Sequence, residues 1–151
     1  MPSAAKTLIG TGDIDVQFLI DDVDSGGSTT AFICRVAPGG HTPPPHSHGD
    51  WDETVYCSEG GFMFTIDGEG QELRAGEALC IRRGQVHHFA NIGSTDGRML
   101  VVSTPGLFHE SYFVSIAEIL NAAGDGPPDF AALGRVMAEH GVTPAPAPTP
   151  A

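Results

Sequence analysis

The chain is short of positive charge. Only seven of its 151 residues are Lys or Arg, against nineteen Asp and Glu, which leaves a formal charge of −12 at pH 7. Nucleic acid is therefore not an expected partner, because phosphate binding needs clustered cations. Anionic membrane surfaces are disfavoured for the same reason. Cysteine is scarce too. Cys34, Cys57 and Cys80 are odd in number and widely spaced, which suits neither a disulfide framework nor a zinc ribbon. They read as reduced thiols, half-buried in apolar strands. No apolar run is long enough to span a membrane. Met1 to Gly10 lacks the long apolar core of a secretory signal. A soluble cytoplasmic protein is the expectation.

Glycine and proline, by contrast, are plentiful, at 20 and 12 residues, and hydrophobic residues make up 40% of the chain. The length suits one domain with a genuine core. Glycine and proline fall between short apolar runs, the punctuation of many short strands joined by turns.

Read along the chain, Val16 to Ile20 and Thr30 to Val36 are strands, and the second sets Phe32, Cys34 and Val36 on one face. Pro38-Gly39-Gly40 ends it. Pro43-Pro44-Pro45 then delivers a stiff extended segment into His46. Glu53 to Cys57 and Phe62 to Ile66 follow, the latter ending in Asp67-Gly68, a hairpin turn signal. Gln71 to Leu73, Ala78 to Ile81, Val86 to Ala90 and Met99 to Ser103 continue the pattern. With the His46–His48 segment this makes about nine strands, as in an antiparallel sandwich or jelly roll.

The periodicity then changes to helical. Ser115 and Glu118 have the spacing of a capping box, with Ile116, Ile119 and Leu120 on one face. Asp129 can cap a second helix carrying Phe130, Leu133 and Met137, and Gly141 fits its C′ position. The organisation expected is an N-terminal arm over 1–15, a barrel over 16–114, helices over 115–142 against the barrel or a partner subunit, and a flexible Pro/Ala tail over 143–151.

Four side chains stand out. Residues two apart on a strand point the same way, so His46 and His48 present two imidazoles roughly 7 Å apart at the backbone. Their nitrogens can converge on one ion at about 2 Å. Residues 49–52 make a tight reversal, which returns Glu53 to the same end of the next strand. His87 is expected from a more distant strand. Three imidazoles and a carboxylate form a borderline-hard N/O site, suited to one divalent Fe, Mn, Ni, Co, Cu or Zn ion. On a six-coordinate ion they leave two positions for substrate and for water or dioxygen.

The remaining candidates carry plainer readings. His88 alternates away from His87, while His41 and His109 read as surface residues. Phe89 suits either a cavity lining or the core, and Asn91 is expected to tie a loop. Phe62, Phe64 and Ile66 share a face. Trp51, in the reversal between ligands, can shield the site or meet a partner. Cys57 shares the face of Glu53 without being an expected ligand.

From Gly40 to Gly60 the residues resemble the first cupin motif: Gly40, five residues, His46-x-His48, four residues, Glu53, six residues, Gly60. From Gly76 to Asn91 they resemble the second: Gly76, Gly84, two residues, His87, three residues, Asn91. Arg82 stands where that motif has proline, and no ligand position is affected. The chain is similar to small single-domain, quercetin dioxygenase-like cupins. The resemblance implies an all-β, antiparallel jelly-roll barrel with short C-terminal helices and a metal inside it, held by His46, His48, Glu53 and His87. It also implies a homodimer. The activity expected is that of a metal-dependent, dioxygenase-like oxidoreductase acting on a small organic substrate at a 3-His/1-Glu centre, with Glu53 serving as ligand, as catalytic base, or both. A non-redox isomerase, cyclase or lyase, and a small-molecule-binding cupin without turnover, are the alternatives, since fold alone does not choose the reaction.

Overall fold

The computed structural model describes residue 2 and residues 6–146. In chain order the elements are β1 (Leu8–Gly10), β2 (Ile14–Ile20), α1 (Asp22–Ser25), β3 (Thr30–Val36), β4 (His46–His48), β5 (Asp52–Glu59), β6 (Gly61–Ile66), β7 (Glu69–Arg74), β8 (Ala78–Ile81), β9 (His87–Asn91), β10 (Gly97–Thr104), α2 (Glu110–Ala123), α3 (Phe130–Glu139) and β11 (Val142–Pro144). The strands form two sheets, ordered β1-β2-β3-β10-β5-β8 and β11-β4-β9-β6-β7. Every pairing is antiparallel. The chain repeatedly crosses from one sheet to the other, which gives the jelly roll expected from the sequence.

Alternation places the core between the sheets. Phe32, Cys34 and Val36 of β3, Val55 and Cys57 of β5, and Met99 and Val101 of β10 face inward from one sheet. Phe62, Phe64 and Ile66 of β6 face them from the other. These side chains are fully buried, and each contributes about 1.5–3 kcal/mol of hydrophobic stabilisation. Gly97 is required by this packing, because a Cβ there would stand 2.5 Å from the ring of Phe62. Asp67 and Gly68, at φ 50° and 85°, make the two-residue turn between β6 and β7, the left-handed pair of a type I′ hairpin.

Several boundaries differ from the sequence reading. There are eleven strands among the described residues, not nine. The two additions, β1 and β11, are three-residue edge strands, too short for alternation to reveal. β1 lies in the expected N-terminal arm, and β11 puts Pro144 into a sheet instead of the tail. Of that tail, residues 147–151 lie outside the described residues, as do residues 1 and 3–5 of the arm. Helix α1 is an additional element, set by Asp21 in a capping box with Asp24. Helix α2 begins at Glu110, one turn before Ser115, with His109 at its N-cap and no side-chain cap bond. Packing starts it: Tyr112 and Phe113 sit against the core, which outweighs the capping signal at Ser115.

Helix α3 begins after Asp129, whose side chain accepts from Ala132 N–H, and Gly141 follows it at φ 74°. Met137 packs on the core, but Phe130 is 71% exposed and leaves the expected shared face. Cys34 and Cys57 are buried and Cys80 is exposed, and none is bonded to another. Among the described residues no helix is long and apolar enough to cross a membrane.

Candidate metal centre

The site is built from both sheets. His46 and His48 point inward from β4, and His87 sits directly opposite His46 on the neighbouring β9. Glu53 reaches in from β5 of the facing sheet. This reverses the expected geography. The segment 49–51 does not fold a hairpin onto an adjacent strand; it carries the chain across the barrel. His87, expected from afar, is the near neighbour. The physical reason is jelly-roll connectivity, in which consecutive strands alternate between sheets, so a short loop bridges the core instead of pairing its flanks.

The ligand-type nitrogens of His46, His48 and His87 all lie within 4.8 Å of one another. Their ring centroids are 4.5 to 5.1 Å apart. Glu53 Oε2 is 3.4 Å from His48 Nδ1 and 3.5 Å from His87 Nε2. At those distances the contacts are electrostatic and too long for good hydrogen bonds. Accordingly, His48 Nε2 and Glu53 Oε2 are buried polar atoms with no hydrogen-bond partner. Such atoms are expensive to bury unless something else satisfies them.

The backbone sets two of the rings. Pro44 C=O lies 2.8 Å from His46 Nδ1, and Gln85 C=O lies 3.0 Å from His87 Nδ1. A carbonyl only accepts, so both Nδ1 atoms carry a proton, which makes Nε2 the ligating atom of each ring once that ring is neutral. The stiff Pro43-Pro44-Pro45 run thus fixes a tautomer as well as a path.

Charge is arranged to match. Burial holds His46 below the ordinary histidine range and His48 down at about 4, so both are neutral at pH 7. Burial pushes the Glu53 carboxyl up, but its interaction with His87 and the charges of His48, His87 and His46 outweigh that and hold it low. Burial likewise pushes His87 down, and the Glu53 carboxylate more than reverses it. A carboxylate beside two neutral imidazoles and a third poised to lose its proton is a donor set that fits a divalent transition ion.

An aromatic wall closes the site. Trp51 stacks on His48 at 4.6 Å and 16°, and Phe108 lies 5.1 Å from both rings. Tyr112 of α2 lies 5.4 Å from Phe108 and 5.5 Å from His140. Burial, with the charge of Glu53, pushes the Tyr112 phenol up to about 12. The sequence reading missed Phe108, Tyr112 and His140. Phe108 and Tyr112 stand four apart across the start of a helix, a spacing that shares one face and was the available signal.

The other candidates stay outside the cluster. His41 is exposed and paired with Asp13. His109 lies 3.5 Å from Asp22. Phe89 packs on the core, and Asn91 ties a loop by donating to Val36 C=O and Thr95 C=O and accepting from Gly93 N–H. The Cys57 thiol donates to the carbonyls of Glu59 and Gly60.

Comparisons with known proteins agree with this architecture. The family model described as "Cupin domain" matches residues 32–103. The chain is similar to the polyketide cyclase RemF from Streptomyces resistomycificus, at 30% identity over 67% of this chain and 72% of that one, with a TM-score of 0.55. It is also similar to polyketide synthase CurC of Streptomyces cyaneus, 30% identical over 60% of this chain and 59% of the relative. The chain spans about six-tenths of the length of the curated relatives it matches. An oxalate decarboxylase from Lactobacillus farciminis shares the fold, with a TM-score of 0.61 and 20% identity over 69% of this chain and 32% of that one. The two motifs, the two-sheet barrel and these matches together place the chain in the cupin superfamily.

Proposed function

We propose that this cupin is a metal-dependent enzyme that closes or rearranges a small, oxygen-rich carbon skeleton of the polyketide type without net oxidation. The observation that carries it is the convergence of three histidine nitrogens within 4.8 Å, with Glu53 beside two of them and two buried polar atoms unpartnered. His46, His48, His87 and Glu53 would hold one divalent ion of the Fe, Mn, Ni, Co, Cu or Zn group. When bound, such an ion supplies Lewis acidity to a carbonyl or enolate oxygen.

The chain's own residues do the rest. The carbonyls of Pro44 and Gln85 hold two imidazoles in the ligating tautomer. Glu53, whose carboxyl is held low inside the barrel, would take a proton from the carbon next to a ketone. Trp51 and Phe108 cover His48 and keep water from an enolate formed there. The polyketide names of two 30% identical relatives support the substrate class, and the cyclase name of one supports the redox-neutral outcome.

The test is turnover of a linear 1,3-polyketone with and without dioxygen, on protein of measured metal content. The expected product has the mass of the substrate, or that mass less water, and forms equally under anaerobic conditions. Oxygen consumption in step with substrate loss overturns this reading in favour of the dioxygenase chemistry that the motifs imply. Tight binding without product overturns both in favour of a sensor. Assembly as a homodimer belongs to the same proposal and is tested by sedimentation.

A further inference from the structure

Asp67 serves the hairpin between β6 and β7 at φ 50°, a conformation that Asp shares with Asn and Gly. The turn accounts for its backbone but not for its side chain. Asp67 Oδ1 accepts from Val86 N–H at 3.0 Å, and Oδ2 accepts from the Gln85 side-chain amide at 3.1 Å. Asp67 N–H in turn donates to Val86 C=O at 2.8 Å. A turn residue of one strand pair thus grips the two residues that precede His87. The same segment is tied down on its other side. Gln85 N–H donates to Arg82 C=O, and Gly84 N–H donates to His48 C=O at 2.8 Å. Gln85 Oε1 accepts from Arg82 N–H at 2.8 Å, which turns the amide NH2 of that side chain toward Asp67.

The bond that matters most is the one to Val86 N–H, because that N–H and Gln85 C=O belong to one planar peptide unit. The carbonyl of the unit accepts from His87 Nδ1 at 3.0 Å, while its N–H donates to the Asp67 carboxylate. An ionised acceptor on one side of an amide polarises it and strengthens its carbonyl as an acceptor on the other. A firmer acceptor at Nδ1 fixes a ligating ring and makes its far nitrogen more basic. His46 has no such relay. Its Nδ1 faces Pro44 C=O, and the nitrogen of that peptide unit belongs to Pro45, which has no proton to donate onward.

We propose that Asp67 is a positioning residue for the candidate centre: through the Gln85–Val86 peptide its carboxylate orients His87 and makes Nε2 of that ring the stronger ligand. This rests on the reading of His87 as a metal ligand. Asp67 itself is exposed, so its effect is expected to be smaller than that of removing a ligand.

Asp67→Gly and Asp67→Asn both suit the turn, so the hairpin survives either change. Glycine removes both acceptor oxygens. Asparagine keeps one oxygen for Val86 N–H and removes the charge. The probe is zinc, titrated into the full metal-free chain against a competing chelator. The ring 15N resonances of the histidines are recorded before and after loading. Zinc affinity is expected to fall about tenfold in Asp67→Gly, and by less in Asp67→Asn. The Nδ1 resonance of His87 is expected to move in both variants, with and without zinc, while that of His46 stays in place as the internal control.

Zinc affinity and a His87 resonance that match the parent in both variants make Asp67 a turn residue and overturn the proposal. Equal displacement of His46 and His87 also overturns it, since that marks a general loosening of the barrel. Should zinc fail to bind the parent, the catalytic reading falls by itself. A metal-free His87 shift beside an unmoved His46 then still supports the hold of Asp67 on the ring.

Discussion

Two groups of ligand-type side chains come together among the described residues, and they differ in almost every physical respect. His46, His48 and His87 are buried, converge from adjacent strands, and leave polar atoms unsatisfied beside Glu53. Asp21, Asp22 and His109 also come within ligand distance of one another, but only half-buried near the surface. There Asp21 is already employed, accepting from the backbone N–H of Asp22 and closing the capping box of α1. Proximity is thus common to both. Burial with unmet bonding capacity belongs to the first group, and that marks a site prepared for something else. The second group is a helix cap with a neighbouring imidazole.

The sharpest way to break the comparison is His48→Ala set against His109→Ala. Elemental analysis is expected to find about one first-row transition ion per chain in the parent, nearly none in His48→Ala, and an unchanged amount in His109→Ala. Equal loss in both would put the two groups on the same footing. Glu53→Gln comes next. It keeps the shape and removes the charge, and competition with a chelator is expected to show metal affinity lower by about 10- to 100-fold, with proton abstraction abolished.

Acid gives a smaller effect. In metal-free protein His48 titrates at about 4 in place of 6.5, and Glu53 is also held low. The unfolded chain therefore binds protons that the folded chain refuses. The His48 contribution is full above pH 6.5 and declines as pH falls toward 4, and that of Glu53 declines as it protonates in turn. His87 has the opposite sign, since its raised value makes its contribution complete only at lower pH and loses it as pH climbs through that value. Its sign opposes that of His48 on the neutral side of the range. Thermal melts between pH 7 and 4 are expected to show Tm falling, and His48→Ala to flatten the slope. The least effect is that of Asp21→Ala, which costs about 1 kcal/mol through the lost cap and leaves metal content alone. A chelator titration altered by it would restore the surface group as a candidate.

The barrel was largely legible in the chain. Alternation in β3 and β6 and the Asp67-Gly68 turn are local signals, and local signals survive in one dimension. The placement of His46 and His48 on one face followed from strand period alone. What escaped was decided by contacts between distant residues. β1 and β11 are each held by a partner strand, with too few residues to show a period. The start of α2 depends on Tyr112 and Phe113 finding the core. The position of Glu53 opposite the histidines depends on which sheet β5 joins, and no spacing between residues 48 and 53 encodes that choice. The sequence offers Trp51 as a shield or a partner contact but does not show its stacking on His48, because the spacing does not reveal that the chain crosses between sheets there.

The last strand has a consequence for how the protein comes into being. Val142, Thr143 and Pro144 pair with His48, Ser47 and His46, so the outer edge of the strand bearing two imidazoles is covered by nearly the final described residues. During synthesis that edge stays bare until the ribosome has made residues 142–144, nearly a hundred residues after the strand it covers. Covering of that strand is therefore tied to synthesis of Val142–Pro144, and a nascent chain stalled before residue 142 would display its paired histidines on an open, sticky border.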